Sequence, residues 1–224
     1  MKDYIKERLQ YHLGRLDKLF DKNELAYLSS HCKNELQIRD RIAWQLHQDI
    51  TKQYGDLYVV RREWAPEEKN KSRVDMAILE MKPDKQSVAK VIAMIEFKAQ
   101  SIARREKWYR DEFTRDVFKM REFKSDIKEC NEADLYFVFL ETGQDDKAEK
   151  YKSVLAYSLY QNSKCAYCKN DQDKEYLDKV KSYWKDFEGL LEESISIHDP
   201  VAIDVGEAFG YRQYVSPLLI GPLK

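Results

Sequence analysis

The stretch Val91-Ile92-Ala93-Met94-Ile95-Glu96-Phe97-Lys98 is apolar until its last three residues, where Glu96 and Lys98 interrupt the pattern. Successive side chains of a β-strand point to opposite faces, so Glu96 and Lys98 are predicted to project from the same face. A charge at the end of a buried strand needs an ion-pair partner, a metal or water. The stretch therefore predicts a buried strand that ends in a small charged cluster.

A second strand is predicted over residues 73–79, where Val74, Met76 and Ile78 share one face and Asp75 turns to the other. The polar segment 81–86, which contains a proline, predicts a hairpin turn between the two strands. Sequential strands usually lie side by side, so Asp75 and Glu96 are expected to meet. Two carboxylates suit Mg²⁺ or Mn²⁺ rather than zinc, and Lys98 beside them can orient a water. Taken singly, either motif is also typical of a solvated strand end with a surface ion pair.

A helix is predicted over residues 33–54 from apolar residues at helical spacing, namely Leu36, Ile42, Ala43, Leu46 and Ile50. Glu35 falls on the same side as Ile38 and Ile42. This position is compatible with a functional acid, and equally with a carboxylate that is favoured at a helix N-terminus by the helix dipole.

A βαβ unit is predicted after Lys98. A long helix over residues 102–129 has a buried face formed by Tyr109, Phe113, Val117, Met120 and Ile127. The continuous apolar run 135–140 that follows is typical of a strand covered on both faces. A strand, a crossover helix and a strand make a parallel pair, so the sheet is expected to be mixed.

With Glu35 in a first helix, Asp75 in a strand and Glu96-Phe97-Lys98 in the next strand, the chain resembles the PD-(D/E)xK nuclease superfamily. The resemblance covers about residues 33–140. It implies an α/β fold, a restriction-endonuclease-like mixed β-sheet flanked by helices, here with extra helices at both ends. The proline of the family's motif is absent, because Val74 precedes Asp75.

Carried over, the resemblance implies a role for each motif residue. Asp75 and Glu96, with the backbone carbonyl of Phe97, would bind Mg²⁺ or Mn²⁺, Lys98 would assist the attacking water, and Glu35 would be an auxiliary acid. Gln100 would be a further polar residue near the DNA, as some branches of the superfamily have.

Basic clusters bracket these acids in the sequence, although the 224-residue chain has a net charge of only −1. They contain Arg61, Arg62, Lys71, Arg73, Arg104 and Arg105. Each cluster alone is typical of a solvated surface. Three clusters around one acidic group favour phosphate contacts, and Lys71, Arg73, Arg104 and Arg105 are the expected DNA-binding residues.

The remaining patterns exclude other classes of protein. Cys165 and Cys168 form a CxxC without a second cysteine pair, so reduced thiols are favoured over a zinc site. The sequence contains no glycine-rich phosphate loop, catalytic triad pattern or membrane-spanning apolar run. Its first residues lack the apolar core of a signal peptide, so none is expected. We expect a cytoplasmic protein with no membrane partner and no small-molecule cofactor.

The ends of the chain are predicted to extend the nuclease core. Residues 1–32 are expected to be helical, with one helix over residues 4–28, and residues 33–140 form the core. Residues 141–224 are expected to embellish the same domain, with helices over 147–160 and 174–191. Short strands or an extended tail are expected at 195–197 and 217–222.

The function predicted from these patterns is Mg²⁺-dependent endonucleolytic hydrolysis of DNA in restriction or phage defence. Three alternatives stay open: a DNA repair nuclease, an inactive nucleic-acid-binding or assembly module with the same fold, and a helical interaction protein with coincidental motifs. DNA is the expected partner, and a homodimer is left open.

Overall fold

The computed structural model describes residues 1–31, 34–67, 72–101, 106–145 and 203–223. Six strands form one sheet in the order β1-β2-β3-β4-β6-β5: β1 Tyr58–Trp64, β2 Val74–Met81, β3 Val88–Ser101, β4 Asp134–Asp145, β5 Ile203–Ala208 and β6 Tyr211–Leu223. The pair β3/β4 is parallel, and the other neighbouring pairs are antiparallel. The predicted α/β class, the β2–β3 hairpin and the mixed sheet are confirmed.

One face of the sheet is covered by α4 Glu35–Tyr54 together with α1 Lys2–Leu13, α2 Leu16–Leu19 and α3 Glu24–His31. Helix α4 packs through Ile38, Ile42, Leu46 and Ile50, which recur every four residues and are fully buried. Leu36 was expected in this stripe. It is 51% exposed, so that part of the prediction is wrong.

The other face is covered by α5 Glu106–Asp126, which crosses from β3 to β4. Its residues Val117, Met120 and Phe123 pack on the buried side chains of β2, β3 and β4. A short 3₁₀ turn, Lys128–Cys130, leads into β4, whose predicted apolar run is buried on both faces. The sheet is therefore the middle of three layers.

The N-terminal region differs from the single helix predicted over residues 4–28. It forms three helices, because the chain leaves the helical conformation at Arg15, with a φ of −132° and a ψ of 34°, and turns into extended backbone at Phe20. The predicted apolar stripe is nevertheless in contact with the core, through Ile5, Leu9 and Leu16.

The C-terminal segment predicted as short strands or an extended tail contains β6, which lies between β4 and β5. Gly221 in β6 has a φ of +127°, and a Cβ there would lie 2.5 Å from the carbonyl oxygen of Leu135, so only glycine fits. The helices predicted over 147–160 and 174–191 and the strand at 195–197 lie outside the described residues. None of the helices in the described ranges has the length and apolar character that a membrane crossing needs.

Candidate active site

The strands β2 and β3 part at one end of their hairpin, and Asp75 lies at this fork. Their pairing ends at Met76 and Ile95, one residue short of Asp75. The Oδ2 atom of Asp75 then accepts a 2.7 Å hydrogen bond from the backbone N–H of Phe97. In a strand the N–H and C=O of one residue point to the same edge, so the carbonyl oxygen of Phe97 also points into the fork.

Glu35 reaches the same edge of β3 from the first turn of α4. Its Oε2 atom accepts a 2.7 Å hydrogen bond from the backbone N–H of Ala99. Two consecutive edge N–H groups of β3 are thus satisfied by carboxylates rather than by a neighbouring strand. The sequence placed Glu35 on the inward side of its helix, and the structure brings it to the fork.

Glu96 and Lys98 project together toward α5, as the strand periodicity predicted. The Nζ atom of Lys98 lies 3.8 Å from Oε2 of Glu96. Glu96 is 1% exposed. Burial, followed by the charge of the neighbouring Asp75, raises the pKa of Glu96 well above its ordinary value. Asp75 is therefore close enough to oppose the ionisation of Glu96, which is the electrostatic condition that a shared cation relieves.

Helix α5 contributes Asp116 and Lys119, which the sequence analysis missed. Asp116 Oδ2 lies 2.9 Å from Nζ of Lys98, and Lys119 donates a hydrogen bond to Oε1 of Glu96. Burial alone would lower the pKa of Lys98, but the hydrogen bond to Asp116 and the charges of Asp116, Glu96 and Asp75 outweigh it and raise that pKa. Lys98 is therefore held as an ammonium in the metal-free protein. The sequence signal that could have identified Asp116 and Lys119 is their position next to Val117 and Met120, on the buried face of the predicted helix.

Arg39 of α4 is a further residue that the sequence analysis missed. Its side chain is 6% exposed, and its Nη1 atom contacts Glu63 and lies 3.5 Å from Oδ1 of Asp75. Its Nε atom donates a 3.1 Å hydrogen bond to Asp40. Arg39 therefore links Asp75 to α4 and β1.

The oxygen atoms at the fork suit a hard divalent cation. Asp75, Glu96 and the carbonyl of Phe97 offer three oxygen ligands of the kind that Mg²⁺ and Mn²⁺ prefer. In the described part of the chain, no three histidine, cysteine, aspartate or glutamate side chains are grouped closely enough to hold a metal. A cation here would accordingly take two carboxylates, the carbonyl and water, and Mg²⁺ usually keeps several waters in its coordination shell.

Of the predicted DNA-binding residues, Arg73 is exposed and lines an open groove of about 720 Å³ on the outer part of the sheet. Arg61, Lys82 and Trp64 line it as well. Gln100 lies in β3, two residues after Lys98, so the predicted continuation of the strand is confirmed. Lys71, Arg104 and Arg105 lie outside the described residues, as do Cys165 and Cys168.

No protein-family model, curated protein or solved structure matches this chain.

Proposed function

We propose that this chain is a Mg²⁺- or Mn²⁺-dependent endonuclease that hydrolyses DNA phosphodiester bonds, in restriction or phage defence. The observation that carries the proposal is the fork between β2 and β3. There Asp75 and the Phe97 carbonyl lie beside Glu96, and Lys98 lies on the same strand. The combination of hard oxygen ligands with an adjacent ammonium is what metal-assisted attack of water on a phosphodiester requires.

Each side chain at the fork would have a distinct role in the reaction. Asp75 and Glu96, with the Phe97 carbonyl, would hold the cation, which when bound supplies an activated water and neutralises charge on the phosphate. Lys98 would hold the attacking water and a phosphate oxygen by donating hydrogen bonds. Glu35 would fix the end of β3 through the Ala99 N–H and so keep Lys98 in position.

The DNA would approach along the exposed arginines of the groove. Arg61 and Arg73 are both exposed, and neither has an ion-pair partner among the described residues. Guanidinium groups of this kind bind phosphates in a way that carries no sequence information. The groove is lined by β1 and β2, and Trp64 pairs with Val74, the residue before Asp75.

The test is cleavage of supercoiled and linear plasmid with Mg²⁺, Mn²⁺, Ca²⁺ or chelator. The proposal expects cleavage with Mg²⁺ or Mn²⁺ and none in chelator. It also expects loss of cleavage in Asp75→Asn and Glu96→Gln, while Glu132→Gln, an exposed carboxylate at the other end of the sheet, stays active. Cleavage that survives both active-site substitutions would contradict the proposal.

A second candidate is an inactive module of the same architecture that binds nucleic acid. It is favoured by the charge balance around Glu96, where two carboxylates, Glu96 and Asp116, face two ammonium groups, Lys98 and Lys119. These four charges balance without a metal. Salt-sensitive DNA binding with no Mn²⁺ binding and no cleavage would select this candidate.

A further inference from the structure

Lys119 is a cation with no role in the mechanism above, yet it is bonded to one of the proposed metal ligands. It donates a hydrogen bond to Oε1 of Glu96. Its side chain is 19% exposed, and that of Glu96 is 2% exposed. The ammonium group of Lys119 is thus held against a buried carboxylate.

Lys119 also has a second partner on its own helix. Its Nζ atom lies 3.2 Å from Oδ1 of Asp116, one turn earlier, while Oδ2 of Asp116 lies 2.9 Å from Lys98. The exposed Arg115 also reaches Oδ1 of Asp116, at 4.0 Å. If another cation binds Glu96, the Lys119 ammonium can therefore stay paired with Asp116.

A divalent cation on Glu96 would compete directly with Lys119. Mg²⁺ binds a carboxylate oxygen at about 2.0–2.1 Å, so an ammonium hydrogen-bonded to the same oxygen is both crowded and repelled by like charge. The loss of the hydrogen bond between Lys119 and Glu96 would be partly offset, because Lys119 keeps its ion pair with Asp116.

We propose that the Lys119 ammonium is hydrogen-bonded to Glu96 in the metal-free protein, gives up this bond when a divalent ion binds Glu96, and then keeps only its ion pair with Asp116. Lys119 is then a positioning residue that keeps Glu96 oriented and lowers the affinity of the site for metal. This inference rests on the proposed function, since it takes Glu96 as a metal ligand.

The experiment is a calorimetric titration of the full chain with Mn²⁺, without DNA. Lys119→Gln keeps a neutral donor for Glu96 and removes the competing charge, so the Kd for Mn²⁺ should fall on the order of tenfold, the scale of one charge-assisted hydrogen bond. Lys124→Gln, on the same helix, removes an equal charge and should leave the Kd within about twofold, because a charge separated by solvent is screened. Lys119→Met serves as a second variant with the same expected direction, and thermal melts in chelator verify that each variant is folded.

The outcomes separate this inference from the proposed function. If the wild-type protein binds Mn²⁺, Asp75→Asn abolishes binding and Lys119→Gln binds no more tightly, Lys119 is only a structural partner of Glu96 and the inference is overturned. If Lys124→Gln binds Mn²⁺ as tightly as Lys119→Gln, the inference is also overturned, because the lower Kd would then result from the change in net charge. If the wild-type protein does not bind Mn²⁺ at all, both the proposed function and this inference fail.

Discussion

Replacing Asp75 by alanine and by asparagine should have different effects on stability, although both should stop cleavage. Asp75 satisfies the backbone N–H of Phe97, a residue with no exposed surface. Alanine leaves that buried donor without a partner, which costs about 1–3 kcal/mol. Asparagine keeps a carbonyl oxygen at the same place, and both variants equally relieve the repulsion between Asp75 and Glu96. Both variants also lose the ion pair with Arg39, so the difference in stability between them reports mainly the hydrogen bond to Phe97.

The measurement is thermal and urea unfolding in chelator at pH 7. For a chain of this size each kcal/mol shifts Tm by about 2–4 °C, so Asp75→Ala should melt roughly 2–12 °C below Asp75→Asn. The matched pair Asp56→Ala and Asp56→Asn, at an exposed aspartate, should melt together. If the two Asp75 variants are equally stable, the carboxylate does not hold the Phe97 N–H, and our account of the fork is wrong.

Three further predictions concern charge. Burial and the Asp75 charge raise the folded-state pKa of Glu96 above its ordinary 4.5, so the stability that Glu96 contributes is complete below about pH 4.5 and is lost as pH rises through the folded pKa. Glu96→Gln in chelator should therefore gain stability relative to the wild-type protein as pH rises from 4 to 8. A stability difference that does not change with pH would contradict the raised pKa. Lys98→Met should still bind Mn²⁺ in calorimetry, at least as tightly as the wild-type protein, but should lose cleavage by about a hundredfold or more. Lys90→Met, at the far end of β3, should stay active. Equal cleavage activity in the two variants would remove Lys98 from the mechanism. In Ca²⁺, Arg61→Ala and Arg73→Ala should each flatten the slope of log affinity for DNA against log salt by about one per lost phosphate contact, and unchanged slopes would place the DNA elsewhere.

The strands that carry the site were predictable, because their signals are local. The apolar run that ends at Glu96 and the short polar turn after Met81 predict the hairpin, and the helix-then-strand pattern after Lys98 predicts the parallel pair with β4. Periodicity alone places Glu96 and Lys98 on one face.

What the sequence did not predict depends on long-range contacts. Asp116 and Lys119 lie next to the buried face of the predicted helix, but their partners cannot be identified until α5 is known to cross over Glu96 and Lys98. Leu36 is the second residue of α4 and lies about 200° around the helix from Ile38, so its side chain points away from the sheet. Strand β6 contains Pro217 and Pro222, which locally disfavour a strand, and its pairing with β4 joins distant parts of the chain.

The position of β6 affects the order in which the protein can fold during its synthesis. Strand β4 ends at Asp145 and β6 begins at Tyr211, a separation of 66 positions (211 − 145). At the usual 5–20 residues per second, β4 waits about 3–13 s on the ribosome for its antiparallel neighbour. During that time its apolar edge is open to strands of other nascent chains. The strand that carries Glu96 and Lys98 therefore pairs on one side with β4, whose other neighbour is made late, so a newly synthesised chain is at risk of aggregation until β6 has been made.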